Sequence, residues 1–175
     1  MMRFAVFALA ALSASPALAD DAGAMHAAAE GFYGVYKSFH SSDGIPDPAG
    51  RAKYQPFLSD KLATLLDQAG NADAAFSVKN KDAPPLVEGD IFTSLFEGAN
   101  TISVGTCSGD AQRGQCAVAL SHTAPRDKPV SWTDTVYLVR TPSGWRVDDI
   151  GYGGGWDFGN KGRLSQTLGE VLQLQ

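Results

Sequence analysis

The chain predicts an α+β domain, with helices in its first half packed on an antiparallel sheet in its second and a short helix at the end. Three observations predict it. Apolar residues recur every three or four positions in the first half, alternate every second position between about 101 and 152, and fall back to helical spacing after 160.

Residues 1–19 have the form of a secretory leader. Met1-Met2-Arg3 is a short positive start, Phe4–Leu12 an apolar run, and Ala17-Leu18-Ala19 a small-residue cleavage site, so the cut is expected after Ala19. The run is too short to span a bilayer as a helix. No Cys follows the cut, so no lipid anchor is expected, and the mature chain, 20–175, is expected in a bacterial periplasm as one domain. A chain of this length buries about two thirds of its unfolded surface around one core.

The sequence holds 14 Lys and Arg against 19 Asp and Glu; losing Arg3 with the leader leaves 13 and a net charge of −6. No basic stripe with interleaved aromatics is present, which argues against a nucleic-acid partner.

The first helix is expected over Ala22–His40, where Met25, Ala29, Phe32, Tyr36 and Phe39 form an apolar stripe facing the sheet. Turn formers from Ser41 to Pro48 end it. A second helix starts at Ser59, a good N-cap, and is expected to stop at Gly70-Asn71. Ser77–Pro85 reads as a loop within the domain, and Asp90–Gly98 as a short helix or tight coil capped by Asp90.

Thr101–Cys107 and Cys116–His122 read as a hairpin with Ser108–Gln115 as its loop. The C-x8-C spacing matches neither a redox C-x-x-C nor a zinc site, and in an oxidising compartment a Cys107–Cys116 disulfide is expected. A second hairpin follows. Val130, Trp132, Asp134, Val136 and Leu138 form its inner row, Thr141-Pro142-Ser143-Gly144 turns the chain, and Trp145, Val147 and Asp149 continue the row on the return strand. In that register Asp134 and Asp149 share an apolar face at roughly 7–8 Å, and a one-residue bulge would separate them. Asp148 is expected outside, in solvent. A final helix over Asn160–Leu174 carries Leu164, Leu168, Val171 and Leu172 inward.

Three blocks carry a resemblance: GDIFTSLFEG at Gly89–Gly98, SWTDTVYLV at Ser131–Val139, and GWRVDDIGYGGGWDF at Gly144–Phe158. They resemble a family of exported bacterial proteins known as domain of unknown function 3828. The match covers roughly the C-terminal half and the helical start. The resemblance implies a cone-shaped fold like that of nuclear transport factor and ketosteroid isomerase, with helices on a curved sheet, and an envelope location. It implies no activity.

Enzymes of that fold keep a general base inside the cone. Asp134 and Asp149 are the candidates here, with Trp132, Tyr152 and Trp156 lining the mouth, because a buried carboxyl with a raised pKa can move a proton beside an apolar ligand. The other reading makes both carboxylates structural, bonded to N–H groups of Gly151–Gly155 or to the indoles of Trp132 or Trp145. The histidines, His26, His40 and His122, stand apart from other ligands, so neither a metal nor a cofactor is expected. Gly151–Gly155 lacks a following G-K-[ST] and reads as a tight turn, with Trp156 and Phe158 packing back.

The expected function is an exported, non-catalytic module binding a small ligand or a periplasmic protein. The outer row of Thr133, Thr135 and Tyr137, with Tyr152, suits a partner or a homodimer through the sheet. The alternatives are a small isomerase or hydrolase using Asp134 or Asp149, and an immunity-type inhibitor of a secreted toxin.

Overall fold

The computed structural model describes residues 16–38 and 44–174, with side chains from residue 21. The described residues form four α-helices, a short 3-10 helix (Gln55–Phe57) and four strands, in the order α1 (Pro16–Ser38), α2 (Pro48–Tyr54), the 3-10 helix, α3 (Asp60–Lys79), β1 (Thr101–Gly109), β2 (Arg113–His122), β3 (Val130–Thr141), β4 (Gly144–Gly151) and α4 (Leu164–Gln173). The strands form one antiparallel sheet in sequence order. The α+β plan is as expected. Most of the expected leader, and Phe39, His40 and the turn residues 41–43, lie outside the described residues.

Helix α1 lays Met25, Ala29, Phe32, Tyr33 and Tyr36 against the sheet, all buried. Phe32 meets Tyr33, Tyr54 and Phe92 at ring distances of 5.1, 5.2 and 5.3 Å, so aromatic rings fill the space beneath the helix. Opposite them, Val118, Leu120, Val136, Leu138, Val147 and Ile150 supply the sheet's inner face.

Helix α2 has no counterpart in the sequence expectation. Asp47 caps it by accepting from the Gly50 amide at 2.7 Å, and Pro48 opens it. Helix α3 starts as predicted, with Ser59 Oγ accepting from the Leu62 amide, but runs nine residues past Gly70 to Lys79. Gly70 is there to let Arg51 in: a Cβ at Gly70 would strike its guanidinium, and Arg51 donates to Asn71 (3.0 Å), Asp67 (2.7 Å) and the Pro46 carbonyl. The signals taken for a helix stop serve a buried cation. Consequently Ser77–Lys79 belong to α3 and the loop begins at Asn80.

Residues 90–98 form irregular coil, without a helix. The first hairpin is longer than expected, its strands reaching Gly109 and Arg113, because Asp110 closes a short loop by accepting from the Gln112 and Arg113 amides. Cys107 and Cys116 are direct cross-strand partners and form the disulfide.

In the second hairpin the two-residue turn, Pro142-Ser143, puts Leu138 opposite Val147 as predicted. A bulge follows at Asp148. Beyond it Tyr137 faces Asp149, and Val136 faces Ile150, which takes the inner place. Asp149 therefore leaves the row of Asp134. The bulged Asp148 accepts from Ser59 Oγ at 2.7 Å, tying β4 to the start of α3 rather than standing in solvent. Phe158 also departs from expectation: it is 64% exposed, while Trp156 packs inward.

Candidate functional site

Asp134 sits on β3, fully buried, and its carboxylate is saturated. It accepts from the Ser94 amide (2.9 Å) and hydroxyl, from Trp132 Nε1 (3.1 Å) and from the Gly153 amide (2.9 Å). Four donors use all the lone-pair sites a carboxylate has.

The glycine-rich loop is shaped by this contact. A Cβ on Gly153 would collide with the Thr133 carbonyl, and one on Gly154 would lie 2.6 Å from Ser94 Cβ. The Gly154 amide donates to Ser94 Oγ. The amides of Gly153 and Gly154 are thus consumed internally, not arranged around an anion.

Asp149 is bound elsewhere. It accepts from the Ser165 amide (3.0 Å) and hydroxyl (2.7 Å) and from the Ile150 amide (2.9 Å), with Arg163 at 3.6 Å. It caps α4, whose own N-cap residue, Arg163, makes no side-chain capping bond. Of the predicted pocket residues, Trp132, Asp134 and Trp156 are brought together, the two indoles meeting edge to face at 5.2 Å. Tyr152 instead donates to the Ile91 carbonyl (2.6 Å). Asp149 does not join them.

A third carboxylate, Asp90, was expected only as a cap. It is buried and accepts from the Tyr36 hydroxyl, Thr93 Oγ1 (3.0 Å) and the Phe92 amide (2.6 Å). Burial pushes its pKa up to about 6, against the hydrogen bonds that hold it down. Asn160 clamps the same loop, donating to the carbonyls of Asp90 and Thr93. Loops 90–98 and 152–160 are therefore locked to each other and to β3.

Above this pair lies a cleft of about 440 Å³ lined by Tyr36, Lys37, Glu97, Ala99, Asn100 and His122. Tyr36 forms its floor, its hydroxyl donating to Asp90 and accepting from the Ala99 amide at 3.0 Å. Lys37 donates to the Ile102 carbonyl, and His122 Nδ1 lies 2.8 Å from the Gly98 carbonyl. The only sequence signal for the site was the Asp90-x-x-Thr93 capping pattern; its pairing with Tyr36, 54 residues away, left none.

Among the described residues, no group of three or more His, Cys, Asp and Glu side chains is placed to hold a metal, and no helix is long and apolar enough to cross a membrane. No protein-family profile matches the chain, and no solved structure matches it. The chain is similar to the uncharacterized lipoprotein YbjP of Escherichia coli (strain K12), with 29% identity over 144 residues, 80% of this chain and 72% of that protein. That likeness is consistent with an exported protein of unknown function.

Proposed function

We propose that this is an exported periplasmic protein, its leader cleaved after Ala19, that works as a non-catalytic binding module. It docks a periplasmic protein, or a second copy of itself, on the outer face of its sheet. The observation that carries this reading is the make-up of that face. Ser103, Ala119 and Thr133 lie side by side in register, and Thr101, Ser121 and Ser131 form the next row. Neither row contains a charge, although charged side chains are what usually protect a solvated sheet from association. A shallow hollow of about 390 Å³ lies over these rows, and small side chains there allow a second surface to approach closely.

The name of the lipoprotein relative supports an envelope location. The cone-like fold is carried by the resemblance of Gly89–Gly98, Ser131–Val139 and Gly144–Phe158 to domain of unknown function 3828. A photo-cross-linking residue at Thr133 or Ala119 tests the docking face in cells. Adducts at these positions, with none at exposed Val78 on α3, are expected. Absence of adducts at both positions in protein exported at normal levels would overturn it.

The cleft over Tyr36 supports a second reading, a small-ligand or small-substrate site in which Asp90, not Asp134 or Asp149, is the proton-carrying group. A cleft of that volume is within the range of ligand sites. A fragment screen read by the His122 ring signals tests it, and hits that leave those signals unmoved would count against the cleft.

A further inference from the structure

One cation and one carboxylate line the cleft over Tyr36, and among the described residues they are not paired with each other. Lys37 comes from the last turn of α1 and Glu97 from the 90–98 loop. Glu97 makes no hydrogen bond or ion pair among the described residues. Lys37 donates to the Ile102 carbonyl at 3.2 Å, and an ammonium has two further N–H groups to give.

The fold holds the rest of the lining in place. His122 Nδ1 lies 2.8 Å from the Gly98 carbonyl, which can only accept, so Nδ1 carries the proton and Nε2 of the neutral ring is left as an acceptor. Asn100 exchanges two hydrogen bonds with the backbone of Thr123, at 2.9 and 3.2 Å, and so fixes the rim. The Tyr36 hydroxyl is engaged by Asp90 and the Ala99 amide, which leaves the floor to its ring. At about 440 Å³ the cleft is more than a single amino acid would fill and lies within the range of ligand sites.

A guest charged with one sign would meet a like charge here, Glu97 for an anion and Lys37 for a cation. A guest that carries both signs satisfies both. We propose that the cleft binds a short peptide with both ends free. Its carboxylate accepts from Lys37, its ammonium donates to Glu97 and to His122 Nε2, and its middle lies over Tyr36 and Ala99. This inference rests on reading the cleft as a ligand site and names the class of ligand; it does not require Asp90 to move a proton.

Titration of the mature chain with alanine, dialanine and trialanine, followed by the His122 ring signals in NMR spectra, tests it. At least one of the two peptides is expected to move those signals and to bind more tightly than alanine. Capping either end of that peptide, as its N-acetyl or its C-amide form, is expected to weaken binding about tenfold or more. Lys37→Met and Glu97→Gln should each do the same to the uncapped peptide. Both side chains are exposed, so the two variants are expected to melt close to wild type. Capped peptides that bind as tightly as the free one, variants that bind as tightly as wild type, or alanine that matches the peptides would each overturn the proposal. Peptides that leave the His122 signals unmoved would overturn it too. If fragments of other chemistry then move those signals, the cleft is a ligand site for a different class; if nothing moves them, the reading of the cleft falls as well.

Discussion

Ser94 presents both its amide and its hydroxyl to the carboxylate of Asp134, 40 residues further along the chain. This contact makes a loop without regular structure behave as part of the sheet. It also explains why Asp134 tolerates complete burial: its charge is spread over four donors that the fold holds in place.

Asp134→Asn keeps the volume but turns one acceptor oxygen into a donor facing other donors. It is expected to destabilise the fold by about 2–4 kcal/mol, and Ser94→Ala by about 1–2 kcal/mol. Urea unfolding followed by tryptophan fluorescence checks both. An Asp134→Asn variant as stable as wild type would show that the carboxylate is not structural.

Asp90 gives the fold a pH signature of opposite sign to that of an ordinary salt-bridged carboxylate. Its pKa rises from 3.8 to about 6 on folding, so the folded state holds its proton more tightly. Its contribution is complete below about pH 4 and is lost as pH rises through 6; two pKa units correspond to roughly 3 kcal/mol. Stability attributable to Asp90 therefore falls between pH 4 and pH 6. Comparing urea midpoints of wild type and Asp90→Asn across this window should show the fall in wild type and a flatter curve in the variant. Parallel curves would contradict the assignment.

The Cys107–Cys116 bridge joins direct partners across the β1–β2 hairpin and encloses a short loop. Loop-closure entropy puts its contribution at about 2–3 kcal/mol. The double Cys→Ser variant should melt at a lower temperature yet keep the same circular dichroism, because Val118 and Leu120 still pack the hairpin onto α1. Loss of all structure on reduction would mean that the core is weaker than its burial indicates.

The inner row of β3 was legible because a strand repeats every two residues, and Trp132, Asp134, Val136 and Leu138 are all buried as that period requires. The bulge at Asp148 was not legible. Val147-Asp148-Asp149-Ile150 reads equally well as continued alternation, and only the packing of Ile150 opposite Val136 decides between the two registers. Gly70-Asn71 misled for a related reason: the same residue types end helices and admit a guanidinium. Ser59 and the cysteine pair were legible because their partners lie nearby in sequence. Asp90 with Tyr36, and Asp134 with Ser94, were not, since tertiary pairing leaves no local pattern.

The three glycines of the 153–155 loop look alike in sequence and should respond differently to alanine. At Gly153 a Cβ would run into the Thr133 carbonyl, a backbone atom held in the sheet that cannot swing away, and the Gly153 amide would be pushed off Asp134. At Gly155 a Cβ meets nothing within 4 Å. Gly153→Ala is expected to cost about 1–3 kcal/mol by forced displacement, while Gly155→Ala should be neutral or gain up to about 1 kcal/mol from the less flexible unfolded chain. Thermal melts of the two variants decide the matter. Equal losses would mean that the loop needs glycine for its backbone angles, whereas a loss confined to Gly153 ties the requirement to the approach of the loop to β3 and so to the seat of Asp134.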